Sequence, residues 1–72
     1  MNNLNATKIQ LNGDSHKIKT GDSLEKLLNN LKIQKNKVAI EVNGKIIEKR
    51  GYESLILNHN DKVEIVHFIG GG

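Results

Sequence analysis

Apolar and polar residues alternate along several short segments of this chain, and such alternation is typical of half-buried β-strands. Two Asn-Gly pairs, at 12–13 and 43–44, each separate two of these segments. An Asn-Gly pair in this position favours a type I′ turn, because both central residues of that turn need a positive φ. The pattern therefore predicts two β-hairpins, one near the N-terminus and one past the middle of the chain.

Between the predicted hairpins, leucines recur with the spacing of one face of a helix. They lie at positions i, i+3, i+4 and i+7 of one segment, as Leu24, Leu27, Leu28 and Leu31. Asp22 or Ser23 can cap the N-terminus of this helix, and Glu25 lies in its first turn, where the helix dipole favours a negative charge. The sequence predicts one amphipathic helix over residues 23–31.

The segment after the second hairpin is less regular. Residues 50–61 are predicted to form a loop with one helical turn, and this loop places Leu55 and Leu57 in the core. Asn60 precedes the last strand and is expected in the left-handed conformation, which Asn adopts more readily than most residues. A last strand is predicted from residue 62, and it leads into three glycines.

These elements fit an α+β domain of the β-grasp type, in which one helix packs on one face of a mixed four- or five-stranded sheet. The first and last strands are expected to be adjacent and parallel at its centre. The residues expected on the inner face are all apolar: Ile9, Leu11, Ile18, Val38, Ile40, Val42, Val63 and Ile65. The predicted domain spans 8–67, between a disordered extension at 1–7 and a flexible glycine-rich tail at 68–72.

The composition argues against several kinds of site. The 72-residue chain has no Cys, and its three His lack the spacing of metal ligands, so no metal site is expected. A signal segment and a membrane span of roughly 20 apolar residues are not found, which predicts a cytoplasmic protein, or a stromal one if it is organelle-encoded. The net charge of +3 favours an acidic partner, but Lys and Arg are scattered and only Tyr52 and Phe68 are aromatic, so nucleic-acid binding is not expected.

Three ordered segments carry a resemblance to a known family. They are "IQLNG" at 9–13, "VAIEVNGKII" at 38–47 and "LNHNDKVEIVHFIGGG" at 57–72. Together they resemble the ThiS family, the ubiquitin-like sulfur carrier proteins of thiamine biosynthesis. Two features depart from the family pattern: the polar extension at 1–7, and Asn60 where a glycine is more usual.

The resemblance implies a protein cosubstrate rather than an enzyme. The carboxylate of Gly72 would be adenylated by a ubiquitin-activating-like adenylyltransferase of the ThiF type, which uses ATP, and then converted to a thiocarboxylate. A cysteine desulfurase is one sulfur donor of the expected kind, and a ThiG-type thiazole synthase would receive the sulfur. The chain itself is expected to bind no cofactor and to be a monomer when free.

The end of the chain suits that chemistry. Gly72 has no side chain to hinder attack on its carbonyl, and Gly70 and Gly71 lack a Cβ, so the tail can enter a narrow enzyme channel. Five extended residues reach about 17 Å, at roughly 3.4 Å per residue. The apolar residues beside the tail are expected to form a docking patch for partner enzymes, namely Val66, Phe68 and Ile69. His67 is interpreted as a strand-end residue rather than as an acid or base.

Two alternatives remain beside this interpretation. The small subunit of molybdopterin synthase uses the same thiocarboxylate chemistry, but it typically has a proline-containing segment before Gly-Gly, and this chain has no Pro. A β-grasp binding module without C-terminal chemistry is the other alternative. Such a module would tolerate an added residue after Gly72.

Overall fold

The computed structural model describes residues 5–69 of the chain. Its regular elements are β1 Ala6–Leu11, β2 Asp14–Lys19, α1 Leu24–Asn30, β3 Val38–Val42, β4 Lys45–Ile47 and β5 Lys62–His67. Two 3₁₀ turns lie at Lys35–Lys37 and Lys49–Gly51. Residues 1–4 of the predicted extension, and the three glycines at 70–72, lie outside the described residues.

The strands form one five-stranded sheet in the order β2-β1-β5-β3-β4. The pair β1–β5 is parallel, and β1–β2, β3–β4 and β3–β5 are antiparallel. This arrangement confirms the predicted mixed sheet of the β-grasp type, with the first and last strands adjacent and parallel.

Both Asn-Gly pairs form the turns of hairpins. Asn12 and Gly13 have φ values of 51° and 89° between β1 and β2, and Asn43 and Gly44 have φ values of 53° and 84° between β3 and β4. Positive φ at both central positions is what a type I′ turn requires. The two hairpins are therefore where the Asn-Gly pairs predict them.

The loop that precedes β5 accepts hydrogen bonds from free N–H groups at the N-terminus of α1. Ser23 is the N-cap, and its side chain accepts a hydrogen bond from the N–H group three residues on. The N–H groups of Leu24 and Glu25 donate to the carbonyl oxygens of Leu55 and Tyr52, at 2.8 Å and 2.9 Å. Because the first N–H groups of a helix have no partner inside the helix, these bonds tie the loop to the helix as well as capping it.

The C-terminus of α1 closes in a Schellman motif with an unusual residue. Lys32 has a φ of 60°, at the position where glycine is most common. Its N–H donates to the carbonyl of Asn29 at 3.1 Å, and the N–H of Ile33 donates to the carbonyl of Leu28 at 2.9 Å. The predicted helix is confirmed, and it stops here through these bonds rather than through a glycine.

One hydrophobic core lies between α1 and the inner face of the sheet. Its buried residues are Ile9, Ile18, Leu24, Leu27, Leu28, Val38, Ile40, Val42, Tyr52, Leu57, Val63 and Ile65. Leu11, Leu31 and Leu55 are partly buried against it. The predicted inner-face residues thus pack on the leucine face of the helix. Tyr52 also belongs to this core, which the sequence did not indicate, and burial raises the pKa of its phenol above the ordinary value of 10.0.

The domain begins earlier than predicted. Strand β1 starts at Ala6, two residues before the predicted start at Lys8. Thr7 is buried, and its hydroxyl oxygen lies 2.8 Å from that of Thr20. The polar character of this segment suggested an extension, but a threonine can be buried when its hydroxyl has a partner.

Candidate functional site: the end of β5 and the outer face of the sheet

The strand that leads to the C-terminus lies at the centre of the sheet. β5 is flanked by β1 and β3, but its parallel pairing with β1 is short, covering Gln10 opposite Lys62 and Leu11 opposite Val63. Beyond that point β1 turns away into its hairpin. An edge without backbone partners would therefore open along the second half of β5.

The side chain of Asn12 fills that edge. Its Oδ1 accepts a hydrogen bond from the N–H of Ile65 at 2.7 Å, and its Nδ2 donates to the carbonyl oxygen of Ile65 at 3.3 Å. The N–H of Asn12 also donates to the carbonyl of Val63 at 2.9 Å. Asn12 thus continues the hydrogen bonding between β1 and β5 beyond the point where the backbone of β1 turns away.

Asn43 holds the start of β5 in a similar way from the other hairpin. Its Oδ1 accepts from the N–H of Lys62 at 2.9 Å, and its own N–H donates to the carbonyl of Lys62 at 2.8 Å. Its Nδ2 donates to Oδ1 of Asp61 at 2.9 Å. Both hairpin turns therefore hold β5 through hydrogen bonds. β5 is the strand that leads into the C-terminal segment.

The C-terminal end of β5 presents apolar side chains to solvent. Val66 is 61% exposed, Phe68 58% and Ile69 98%, whereas Val63 and Ile65 on the other face are buried. The backbone remains fixed through Phe68, whose N–H donates to the carbonyl of Lys37 at 3.0 Å. The three residues of the predicted docking patch therefore lie together and accessible, and their role in docking stays a prediction.

The outer face of the sheet extends this surface beyond the predicted patch. Ala39 of β3 lies opposite Val66, and Glu41 lies opposite Glu64. Ile46 of β4 lies opposite Glu41 and is 75% exposed. Ile46, Glu41 and Glu64 are not among the site residues predicted from the sequence. The alternation within each strand could have placed them on the outer face, but not beside one another.

Within residues 5–69 there is no group of three or more His, Cys, Asp or Glu residues that could hold a metal ion. His67 is exposed at the end of β5, opposite Val38. No helix in this part is long and apolar enough to cross a membrane. The predicted reactive residue Gly72, with Gly70 and Gly71, lies outside the described residues.

Comparison with known proteins assigns the family. A family model described as the ThiS family matches residues 3–72. The chain belongs to the ThiS family. The sulfur carrier protein ThiS of Bacillus subtilis is 41% identical over 66 residues, a match that covers 89% of this chain and 98% of that protein.

Two further matches place this ThiS family chain among its relatives. The crystal structure of the thiamine biosynthesis protein ThiS from Geobacter metallireducens superposes with a TM-score of 0.79 at 28% identity, covering 92% of this chain and all of that one. A thiazole synthase of Magnetococcus marinus is 43% identical over 65 residues. That match covers 90% of this chain but only 20% of the synthase, so the chain spans about a fifth of the length of that relative.

Proposed function

We propose that this chain is a sulfur carrier protein for thiazole formation in thiamine biosynthesis, acting as a cosubstrate and not as an enzyme. One observation carries the proposal: the ThiS family model matches residues 3–72, a range that includes the three glycines at 70–72. The Bacillus subtilis relative, which is named a sulfur carrier protein, is matched over 98% of its length. The similarity to a segment of a thiazole synthase favours thiazole formation over the molybdopterin alternative.

The proposed chemistry takes place at the C-terminal carboxylate. The chain has no Cys, so it cannot carry sulfur as a persulfide on its own side chains. In the first step, an oxygen of the Gly72 carboxylate attacks the α-phosphorus of ATP and pyrophosphate leaves. In the second step, a sulfide or persulfide sulfur attacks the acyl carbon and AMP leaves. Where sulfide attacks, the thiocarboxylate forms directly. Where a persulfide attacks, the product is an acyl disulfide, and a second thiol must attack the donor's sulfur, forming a disulfide with it and releasing the thiocarboxylate. The sulfur of the thiocarboxylate is the atom transferred.

The architecture of β5 supports this role. Its backbone is held from both sides by the hairpin residues Asn12 and Asn43, so the body of the protein can be gripped while its end is inserted into an enzyme. Gly70 and Gly71 add no side chain between that body and Gly72. Since glycine has no Cβ, these residues demand the least width from an enzyme channel.

The proposal names three protein partners. A ThiF-type adenylyltransferase uses ATP to perform the activation. A sulfur donor such as a cysteine desulfurase provides the sulfur, and a ThiG-type thiazole synthase receives it. The exposed residues Val66, Phe68 and Ile69 would contact the enzymes that bind the tail. This chain would bind no cofactor of its own.

The first test is the mass of the intact protein after expression with the adenylyltransferase and a sulfur donor. A carrier should show a fraction of molecules in which one oxygen is replaced by sulfur, and fragmentation should place the change on Gly72. A chain that ends in Gly71 is the matched control and should show no such replacement. Sulfur found elsewhere in the chain, or no replacement in the full-length protein, would contradict the proposal.

The second test measures ATP–pyrophosphate exchange with the same adenylyltransferase. Exchange with Gly71→Ala should be much slower than with the wild type. The added Cβ takes up room in the enzyme channel and restricts the backbone conformations of the tail. A chain with one residue appended after Gly72 should be near background, because its carboxylate lies beyond the activation site. Exchange by the extended chain at the wild-type rate would contradict the assignment of Gly72 as the reactive residue.

A further inference from the structure

Both hairpin turns contain an asparagine whose side chain can react with its own backbone. Asn12 and Asn43 are the two asparagines in the sequence that are followed by glycine. Because glycine has no side chain, its backbone nitrogen can reach the side-chain carbonyl carbon of the asparagine before it. A bond then forms between that nitrogen and Cγ, ammonia leaves, and a cyclic succinimide results. Water attacks either carbonyl of the ring and leaves aspartate or isoaspartate, so a carboxylate replaces the amide.

Each of these amides uses both of its polar atoms to hold β5. Oδ1 of Asn12 accepts from the N–H of Ile65, and Nδ2 donates to the carbonyl oxygen of the same residue. Oδ1 of Asn43 accepts from the N–H of Lys62, and Nδ2 donates to Oδ1 of Asp61. A carboxylate can accept a hydrogen bond but cannot donate one. Deamidation at either turn would therefore remove the bond that Nδ2 donates.

The surroundings make this loss more serious at the second turn. Nδ2 of Asn43 and Oδ1 of Asp61 are 2.9 Å apart, so a new carboxylate at position 43 would face a second carboxylate at hydrogen-bond distance. The other oxygen of Asp61 accepts from the N–H of Asn58 at 2.8 Å, which orients its side chain. At the first turn, the new carboxylate would face the neutral carbonyl group of Ile65 at 3.3 Å. Two like charges repel each other more strongly than a charge and a carbonyl dipole do.

The second turn is also the one that should open more easily. Ring closure requires the amide to leave its hydrogen bonds and the glycine nitrogen to approach it, so the turn must open first. Strand β4 is an edge strand joined to β3 by three residue pairs, whereas β2 is an edge strand joined to β1 by six. A shorter ladder opens at a lower free energy. In the folded protein, the reaction should therefore be faster at Asn43 than at Asn12.

We propose that Asn43 is a deamidation site of the folded domain, and that repulsion between its product and Asp61 releases the start of β5 from the second hairpin. The reaction consumes water and releases ammonia, and no electrons are transferred. It is independent of the proposed sulfur transfer, because neither the C-terminal glycines nor a partner protein takes part. The stability of the domain would thus decline with time, at a rate set by the opening of the second hairpin.

The first test measures the initial rate of deamidation at each asparagine in the full-length protein. The protein is incubated in mildly alkaline buffer, with and without guanidinium chloride, and its peptides are analysed by mass spectrometry at intervals. Without denaturant, conversion at Asn43 should be on the order of tenfold faster than at Asn12. In denaturant the two rates should be similar, because both turns are then open. Equal rates without denaturant, or faster conversion at Asn12, would overturn the inference.

The second test places the carboxylate in the turn by substitution. Asn43→Asp should lower the midpoint of thermal unfolding by roughly 5–10 °C, a shift that a domain of this size makes measurable. The double variant Asn43→Asp/Asp61→Asn exchanges the two groups. Its amide at position 61 can donate to the new carboxylate and still accept from the N–H of Asn58, so most of the loss should be recovered. If Asn43→Asp alone does not fold, recovery of the fold in the double variant supports the same conclusion.

The matched control is Asn12→Asp, made with and without Asp61→Asn. Asn12→Asp should lower the midpoint less than Asn43→Asp does. Asp61→Asn should not restore it, because the amide of Asn12 bonds to Ile65 and not to Asp61. A wild-type midpoint for Asn43→Asp, a larger loss for Asn12→Asp, or equal recovery of both variants by Asp61→Asn would each overturn the inference.

Discussion

The two faces of β5 differ sharply in how much of their side chains is exposed to solvent. Val63 and Ile65 point inward and are 1% and 7% exposed, whereas Val66, on the opposite face of the same strand, is 61% exposed. The inner face packs on the leucines of α1, and the outer face has no covering layer among residues 5–69. The inner face of β5 therefore stabilises the fold, and the outer face is left available for partners.

The difference has an energetic meaning. Full burial of a Val or Ile side chain contributes about 1.5–3 kcal/mol relative to exposure. The inner-face residues obtain most of this stabilisation in the isolated chain. Val66 and Phe68 would obtain it only when a partner covers them, so substitutions on the two faces should affect different measurements.

The largest expected effect on the free energy of unfolding comes from making a cavity in the core beneath the inner face. Ile40 is fully buried on β3, opposite Ile65. Ile40→Ala should lower the free energy of unfolding by about 2–5 kcal/mol, because it leaves a cavity. A single core of this size supplies only about 3–5 kcal/mol. Urea unfolding followed by circular dichroism should therefore find this variant largely unfolded.

Val66→Ala is the control on the outer face. It should change the free energy of unfolding by no more than about 0.5 kcal/mol, as expected for an exposed position. It should instead weaken binding to the adenylyltransferase. Equal destabilisation by Ile40→Ala and Val66→Ala would mean that the two faces do not divide stability and binding in this way.

The next effect concerns the side-chain hydrogen bonds by which Asn12 holds β5 in the sheet. Asn12→Ala removes the two side-chain hydrogen bonds to Ile65 and places alanine at a φ of 51°. A left-handed alanine costs about 1–2 kcal/mol, and each lost hydrogen bond about 0.5–1.5 kcal/mol. We expect a loss of roughly 2–5 kcal/mol in the free energy of unfolding, measured in urea.

Asn12→Gly separates the two causes, since glycine accepts the positive φ but makes no side-chain bonds. Its stability should lie between those of the wild type and Asn12→Ala. A glycine variant as stable as the wild type would show that the amide of Asn12 does not brace β5.

A smaller effect of opposite sign is expected where the helix ends. Lys32 adopts a φ of 60° that glycine would adopt without strain. Lys32→Gly should raise the free energy of unfolding by about 0.5–1 kcal/mol, since the relief of about 1–2 kcal/mol is partly offset by the entropy of glycine. Thermal unfolding measures the shift.

Lys26→Gly, at an exposed position inside α1, is the matched control and should instead lose about 1 kcal/mol. The same sign of change for both variants would contradict the strain at Lys32.

The features predicted from the sequence are those that depend on local chemistry. An Asn-Gly pair specifies its own turn, and a leucine at every third or fourth position specifies one face of a helix. Asn60 illustrates the same point, because its positive φ of 73° follows from the residue type. Such features require no knowledge of distant parts of the chain.

The features that were missed depend on contacts between distant segments. Asn12 was predicted as a turn residue, but its bonds to Ile65 join residues 53 positions apart. Glu41 and Glu64 meet only through the register of β3 with β5, which no local pattern reveals. Tyr52 lies in an irregular loop without periodicity, so its burial had no signal in the sequence.

The smallest expected effect is the removal of the glycines at 70–72. Among residues 5–69, every buried core residue lies between Ile9 and Ile65, and the hydrogen bonds that hold β5 involve residues up to Phe68. A chain ending at Ile69 should therefore unfold within about 0.5 kcal/mol of the full-length protein. The same truncation should abolish ATP–pyrophosphate exchange, because it removes the proposed reactive carboxylate, while binding of the outer face should persist. Destabilisation as large as that of Ile40→Ala would make the glycines part of the fold, and the separation between a face for stability and an end for chemistry would no longer hold.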